Sequence, residues 1–283
     1  MNDTKTTTEK ITCPVCFRHC VLDEGQIGNC LARQNQNGES VSLDYGKISS
    51  IALDPIEKKP LYHFRPGSPI LSVGSFGCNL HCPFCQNHGI SQTDDVPCRE
   101  LSPDQLVSIA LDLKEQHGNI GIAFTYNEPL INYEYILDCA VLAKSHSLAI
   151  VLVSNGTAEP EILRLLLPYV DAMNIDVKGF STAIYQRLGG SFASVKETVE
   201  LAHNYCHIEI TSLIVSGFND SVEDMAGQAA WLASLDPMIP LHITRAFPNF
   251  RMPQLMPTPV SLMKDLQHTA KSQGIKHVYL GNV

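Results

Sequence analysis

Residues 74–92 read GSFGCNLHCPFCQNHGISQ, with Cys78, Cys82 and Cys85 separated by three and then two residues. Thiolates this close on one loop converge on a soft metal centre. Three sulfurs are one short of the four that close a structural zinc site or fully hold a cubane. A cubane held by three cysteines leaves one iron open to a ligand from outside. The spacing also admits a zinc knuckle completed from elsewhere in the chain, or three unrelated buried cysteines.

Upstream, ITCPVCFRHCVLDEGQIGNCLARQN carries a second set, Cys13, Cys16, Cys20 and Cys30. Gly25 and Gly28 supply tight turns that bring the last sulfur back. Four thiolates suit zinc or an iron–sulfur centre, with His19 as a spare ligand, and spacing does not choose between them. The alternative is a set of reduced core cysteines. Residues 41–51 alternate loosely and read as a strand or hairpin. The stretch DPIEKKPLYHFRPGS, residues 54–68, reads as an ordered connection. Lys58, Lys59, His63 and Arg65 on it either face substrate or form a solvated basic turn. The expected division is a cysteine-rich segment with its connection over residues 1–68 and a catalytic domain over 69–283.

The 283 residues are 44% hydrophobic and 17% charged, as in an ordinary globular protein with a sizeable core. A net charge of −9 and the lack of any Lys/Arg run argue against a nucleic-acid surface. The polar start MNDTKTTTEK argues against a signal peptide, and no apolar run reaches the ~18–20 residues that span a bilayer. Ten cysteines in such a chain point to metal ligation in a reducing compartment rather than to disulfides. A cytoplasmic protein without a membrane partner is expected.

From residue 70 onward, β-rich runs alternate with helical ones. Strands are expected at residues 70–75, 120–124, 148–153, 172–176, 207–215, 241–244 and 277–280. One helix starts at Ser102, with Pro103 in its first turn and Gln105 closing a capping box. Others are expected at 133–146, 160–167, 194–205, 222–234 and 262–273. This alternation predicts an α/β fold with a parallel sheet, and six or seven units fit a partial (β/α)6-type TIM barrel. Ligands in such folds bind at the carboxyl ends of strands. There the sequence places the cysteine loop, Thr125-Tyr126-Asn127-Glu128-Pro129, Ser154-Asn155-Gly156, Asp176 with Lys178, Glu209 with Thr211, and His242 with Thr244 and Arg245. Residues two apart on a strand share a face, so Asp176 and Lys178 point together.

These motifs together resemble the radical S-adenosylmethionine (SAM) superfamily, in the branch that includes pyruvate formate-lyase activating enzyme. The cysteine loop has the aromatic Phe84 before its last cysteine, Thr125 to Pro129 stand for Gly-Gly-Glu-Pro, Ser154 to Gly156 for Thr-Asn-Gly, and Asp176 to Lys178 for Asp-Leu-Lys. The N-terminal cysteines, DPIEKKPLYHF, the TYNEP version and the closing VYLGNV are more narrowly similar to the AmmeMemoRadiSam-associated radical SAM proteins. The resemblance implies a [4Fe–4S] cluster on Cys78, Cys82 and Cys85 with SAM chelated at the open iron. Reduction, by a partner such as flavodoxin or ferredoxin, would cleave SAM to methionine and a 5′-deoxyadenosyl radical that takes hydrogen from a small molecule or partner protein. Phe84 and Asn87 would hold the adenine side. Thr125, Asn127 and Glu128 would meet the amino group. Ser154, Asn155, Asp176 and Lys178 would orient methionine and ribose, with Thr211 and His242 completing the set.

Two departures stand out. Thr125-Tyr126 replaces a glycine pair. Thr211 stands where the activating enzymes often carry an arginine for the SAM carboxylate, leaving Lys178 or Arg245 to supply that charge. The chain ends at Val283, where related proteins often continue into a cysteine-containing tail. A glycyl-radical-enzyme activase is the first alternative, although residues 86–97 leave no room for the ferredoxin-like insertion many activases carry. A non-catalytic iron–sulfur or zinc protein is the second. Cys139 reads as core, Cys98 as a neighbour of the site or a bystander. The loop with Met252, Pro253, Met256, Pro257 and Pro259 reads as a gate or a plain connection.

Overall fold

The computed structural model describes residues 10–283; most of the polar start, residues 1–9, lies outside the described residues. The cysteine-rich segment begins with a short antiparallel pair, β1 (Ile11–Thr12) and β2 (Val21–Leu22). A hairpin follows, β3 (Arg33–Gln36) with β4 (Glu39–Ser42). It turns on Asn37 and Gly38 at φ of 56° and 82°, the left-handed pair that a two-residue hairpin requires. The hairpin therefore lies earlier than the loose alternation of residues 41–51 suggests. Next come β5 (Lys47–Ile48) and β6 (Ser50–Pro55).

Strand β6 pairs antiparallel with β7 (Pro69–Gly74) from Ser50↔Gly74 to Pro55↔Pro69, so the sheet continues across residue 68. The short strand β8 (Arg99–Glu100) pairs with β5. After it, β9 (Gly121–Phe124), β10 (Ala149–Ser154), β11 (Ala172–Asp176), β12 (His207–Ile214), β13 (Leu241–Arg245) and β14 (Val278–Gly281) add in sequence order, each parallel to the last. Seven parallel strands with β6 at one edge and β14 at the other make the expected open barrel. Because neighbours in sequence are neighbours in the sheet, the parallel strands end on one rim.

Helices cover the outside: α2 (Pro103–His117), α3 (Tyr133–Ser145), α4 (Pro160–Leu166), α6 (Phe192–His203), α7 (Val222–Leu235) and α8 (Val260–Ser272). The one-turn α1 (His88–Ser91) and α5 (Thr182–Leu188) add to the expected set. Ser102 caps α2 as read from the sequence: its side chain accepts from the Gln105 amide, while the Gln105 side chain accepts from the Ser102 amide. Strand β10 reads AIVLVS with no alternation, as befits a strand covered on both faces. Leu106, Ile136, Cys139, Leu163, Val199, Ala229 and Leu266 seal the helices onto the sheet. Inside the barrel, the connection after β6 folds back as a plug. Ile56 and Leu61 pack there with Ile70, Ala123, Val151 and Ala172, all fully buried. Lys58, Lys59, His63 and Arg65 on that connection do not line the cavity at the other end.

Candidate active site

At the carboxyl rim, the loop after β7 carries the three cysteines into the mouth of the barrel. Its path is set from the N-terminal side. The Cys78 amide donates to the Cys30 carbonyl at 3.1 Å, and a Cβ at Gly77 (φ +81°) would collide with that same carbonyl. Only glycine fits there. Arg18 donates to the carbonyls of Asn79 and Gly189 at 2.7 and 2.6 Å, pinning the loop to the residue that ends the helix Thr182–Leu188. Asn127 staples its entry, accepting from the Ser75 amide at 3.0 Å and donating to the Phe76 carbonyl at 2.9 Å. On the far side, the Arg251 amide donates to the Pro83 carbonyl, and Met252 and Leu255 pack with Leu80, Phe84 and Phe218.

The loop faces a cavity of about 250 Å³. Cys78, Cys82, Cys85, Phe84, Asn87, Thr125, Asn127, Ser154, Asn155, Asp176, Lys178 and Thr211 all line it. Eleven strand-end and loop positions named from sequence, and Phe84 with them, therefore meet on one surface. Lys178 is the only cation and Asp176 the only carboxylate among the described lining residues, and they pair at 2.7 Å. Burial opposes the Lys178 charge, but the Asp176 carboxylate and the Cys82 thiol hold its pKa above the ordinary lysine range. Burial pushes the Cys82 thiol up to about 11, with the Lys178 ammonium pulling the other way. Burial also raises Cys78, aided by Glu128.

Glu128 sits behind this wall, 2% exposed. Its Oε1 accepts from the Leu130 amide at 3.1 Å and the Ser154 hydroxyl at 2.8 Å; its Oε2 accepts from the Asn155 amide at 2.7 Å. Burial lifts its carboxyl to about 7 against the pull of those donors. Asn155 in turn donates to Asn79 Oδ1 at 2.9 Å and to Cys78 Sγ at 3.6 Å. The glutamate thus holds the Ser154-Asn155 turn, and the turn holds the first cysteine.

A family model described as the radical SAM superfamily matches residues 72–229. The uncharacterized protein MJ0808 of Methanocaldococcus jannaschii is 38% identical over 97% of this chain and 82% of its own length. The chain belongs to the radical SAM superfamily. The 4-hydroxyphenylacetate decarboxylase activating enzyme of Clostridium scatologenes is 25% identical over 53% of this chain and 47% of its own. A radical SAM methyltransferase from Sphaerobacter thermophilus shares the fold, with a TM-score of 0.57 at 16% identity over 77% of this chain and 67% of its own. The mostly parallel α/β sheet is the radical SAM partial barrel. Membership implies a [4Fe–4S] cluster and SAM.

The donor set fits such a cluster. Cys78, Cys82 and Cys85 border one space together with Asp176 and Lys178, three soft thiol donors with no fourth cysteine among the described lining residues. Cys13, Cys16, Cys20 and Cys30 likewise line one small enclosed pocket. Burial raises Cys16 and takes Cys30 to about 12 as free thiols.

His242 is a correction. It lies at the opposite end of the barrel, 3% exposed, with Nε2 2.6 Å from Glu209 Oε2. Glu209 belongs to that end too, where it also accepts from the Tyr62 and His63 amides at 3.0 and 2.7 Å. The paired row Asp176, Thr211, His242, Tyr279 crosses the sheet. Strands tilt by about 36° in such barrels, so a hydrogen-bonded row descends from rim to base. Thr244, two residues beyond His242, lines the cavity instead. Arg245 does not line it; its Nε donates to the Thr258 carbonyl at 2.6 Å. Cys98 packs with Phe76, Ala32 and Ile131 outside the cavity. Tyr126, from the Thr125–Pro129 motif, lines the cavity too, and Leu80, Gln86, Ser91, Gln92, Val153 and Leu213, to which the sequence assigns no role, complete the lining. Leu80, Gln86, Ser91 and Gln92 all sit in the cysteine stretch, and Ser91 Oγ lies 3.1 Å from Cys85 Sγ. No described helix is long and apolar enough to cross a membrane.

Proposed function

We propose that this protein is a radical SAM enzyme that cleaves SAM reductively beside a cluster held by Cys78, Cys82 and Cys85, and uses the product radical on a small molecule or a partner protein. One observation carries the reading: the three thiols, the Asp176–Lys178 pair and the Ser154-Asn155 turn share one cavity. When bound, the cofactors supply a 5′-deoxyadenosyl radical for hydrogen abstraction. The chain's own groups bind and orient. Lys178 Nζ uses one donor on Asp176 and keeps others for a carboxylate, the charge that Thr211 lacks. Ser154 and Asn155, fixed by Glu128, orient the methionine portion and the ribose, while Thr125 and Asn127 present backbone to the amino group. Glu128 acts on that group through the turn it holds. Phe84 and Asn87 border the adenine side, and Leu80, Val153 and Leu213 exclude water. No general acid or base is assigned.

Electrons come from a flavodoxin- or ferredoxin-type reductant in the cytoplasm. Cys13, Cys16, Cys20 and Cys30 are donors for a second metal, zinc or iron–sulfur, supported by the single pocket they line. A second reading is activation of a glycyl-radical enzyme, favoured by the similarity to the Clostridium scatologenes activating enzyme. The test is anaerobic reconstitution with iron and sulfide, followed by reductant and SAM. Wild type should form 5′-deoxyadenosine and Cys82→Ala should not. A fully loaded wild type that forms none would overturn the proposal. Metal analysis of the variant reads what the N-terminal thiols retain.

A further inference from the structure

Tyr126 lines the cavity with a backbone φ of +74°, a conformation strongly disfavoured for an aromatic residue. Such strain persists where surrounding contacts over-determine it. Those contacts come from the end of β6 and the start of the connection that follows it. The Tyr126 hydroxyl donates to Asp54 Oδ2 at 3.0 Å, and the same oxygen pairs with Lys59 Nζ at 2.9 Å. Lys59 is 3% exposed and lies 5.3 Å from the centre of the Tyr126 ring. Lys58 pairs with the other Asp54 oxygen at 3.2 Å. Burial alone would raise the Asp54 carboxyl, yet Lys59 and the Tyr126 hydroxyl hold it at about 2.

The strain is held from above as well. Asn87, at the end of the cysteine loop, donates to the Tyr126 carbonyl at 2.7 Å. Beneath, Gly74 leaves room for the ring: a Cβ there would stand 2.9 Å from Tyr126 Cβ and 2.8 Å from the Thr125 carbonyl. The residues on either side, Thr125 and Asn127, line the cavity, and the Tyr126 torsion turns the backbone between them.

We infer that Asp54 and Lys59 are positioning residues for the SAM site: they tether the Tyr126 side chain and so hold the Thr125–Asn127 backbone in its cavity-facing conformation. The inference rests on the radical SAM reading above. It gives DPIEKK, which ends 19 positions before Cys78, a role on the inner side of the barrel wall.

The test measures the SAM dissociation constant of reconstituted, unreduced protein by equilibrium dialysis, together with KM and kcat for 5′-deoxyadenosine formation. Tyr126→Phe removes only the tether's hydroxyl and should weaken SAM binding about tenfold, raising KM while kcat stays within about twofold. Asp54→Asn should do the same, and the two together should cost no more than either alone. Because Asp54→Asn strands a buried ammonium, Asp54→Asn with Lys59→Met provides the variant without that charge. In a Tyr126→Gly background, where positive φ carries no strain, removing Asp54 and Lys59 should change SAM binding by less than about twofold. Unchanged affinity in Tyr126→Phe, or an equal loss with and without the ring, overturns the inference while leaving the SAM reading standing. A loaded wild type that binds no SAM overturns both.

Discussion

The two ends of the barrel are built from similar side chains and end in opposite states. At the base, Glu209 has four acceptor positions and four donors: the Tyr62 and His63 amides, His207 and His242. His63 in turn reaches the Tyr279 hydroxyl at 2.7 Å, and Tyr62 packs edge-on against His242. Every acceptor position of Glu209 is thus spent within the protein, and Ile56 and Leu61 plug the barrel on that side. At the carboxyl rim, Asp176 and Lys178 spend one bond on each other and face a cavity with the rest. A cluster of His and Glu is thus not in itself a site. The two carboxylates differ in what they have left: Glu209 has no acceptor position free, whereas Asp176 faces a cavity with all but one unspent.

Removing one buried carboxylate from each end should separate the two most sharply. Glu128→Ala releases the Ser154-Asn155 turn, and SAM affinity should fall about 10–100-fold, the usual cost of losing an orienting partner. Glu209→Ala strands His242 and the plug amides, and should cost about 3–5 kcal/mol of stability in denaturant melts. Its SAM affinity, measured where the variant is folded, should stay within about twofold of wild type. Equal losses of SAM affinity in both variants would break the contrast.

A smaller effect sharpens it with pH. Burial would raise Glu209, but His207, His242 and the two amides hold its folded carboxyl at about 2, below its ordinary 4.5. The unfolded chain therefore binds the proton first. The stability from this group is present above pH 4.5 and is lost as pH falls from there toward 2. The denaturation midpoint of the apoprotein should drop through that window, and Glu209→Gln should flatten the drop. An unchanged acid limb in the variant would mean that other carboxylates dominate it.

How far the sequence carried depends on which physical rule each feature obeys. The alternating runs, the Ser102 cap and the triple-cysteine loop follow local rules of periodicity, capping and spacing, and they stand where the sequence placed them within a residue or two. The β3–β4 hairpin is legible in Asn37-Gly38, a turn signal stronger than the loose alternation downstream of it. His242 was not legible. Alternation shows that it shares a face with Thr244, whereas its height in the barrel depends on strand tilt, which belongs to the whole sheet. The plug was hidden for a related reason: the pairing of β6 with β7, which turns residues 56–61 into the barrel, leaves no mark within those residues. Glu128 was legible as a motif residue, yet its place behind the wall rests on the turn that it holds.

The smallest expected effect concerns the segment that completes the rim. The proline-rich stretch after β13 reads from sequence as gate or connection, and its contacts fall on the cysteine loop: Met252 and Leu255 pack beside Phe84 and Phe218, with the Arg251 amide on the Pro83 carbonyl. Met252 is half-buried, so Met252→Ala removes packing with little cavity cost, about 1 kcal/mol or less of stability. If the segment shields the thiol-bearing loop from solvent, the same change should hasten bleaching of a reconstituted cluster in air by about twofold to threefold, read from its visible absorbance. Met256, 76% exposed in the same stretch, provides the control, since Met256→Ala removes nothing that touches the loop. Equal bleaching rates in the two variants would return the segment to a plain connection and leave the rim's protection to Phe84 and Phe218 alone.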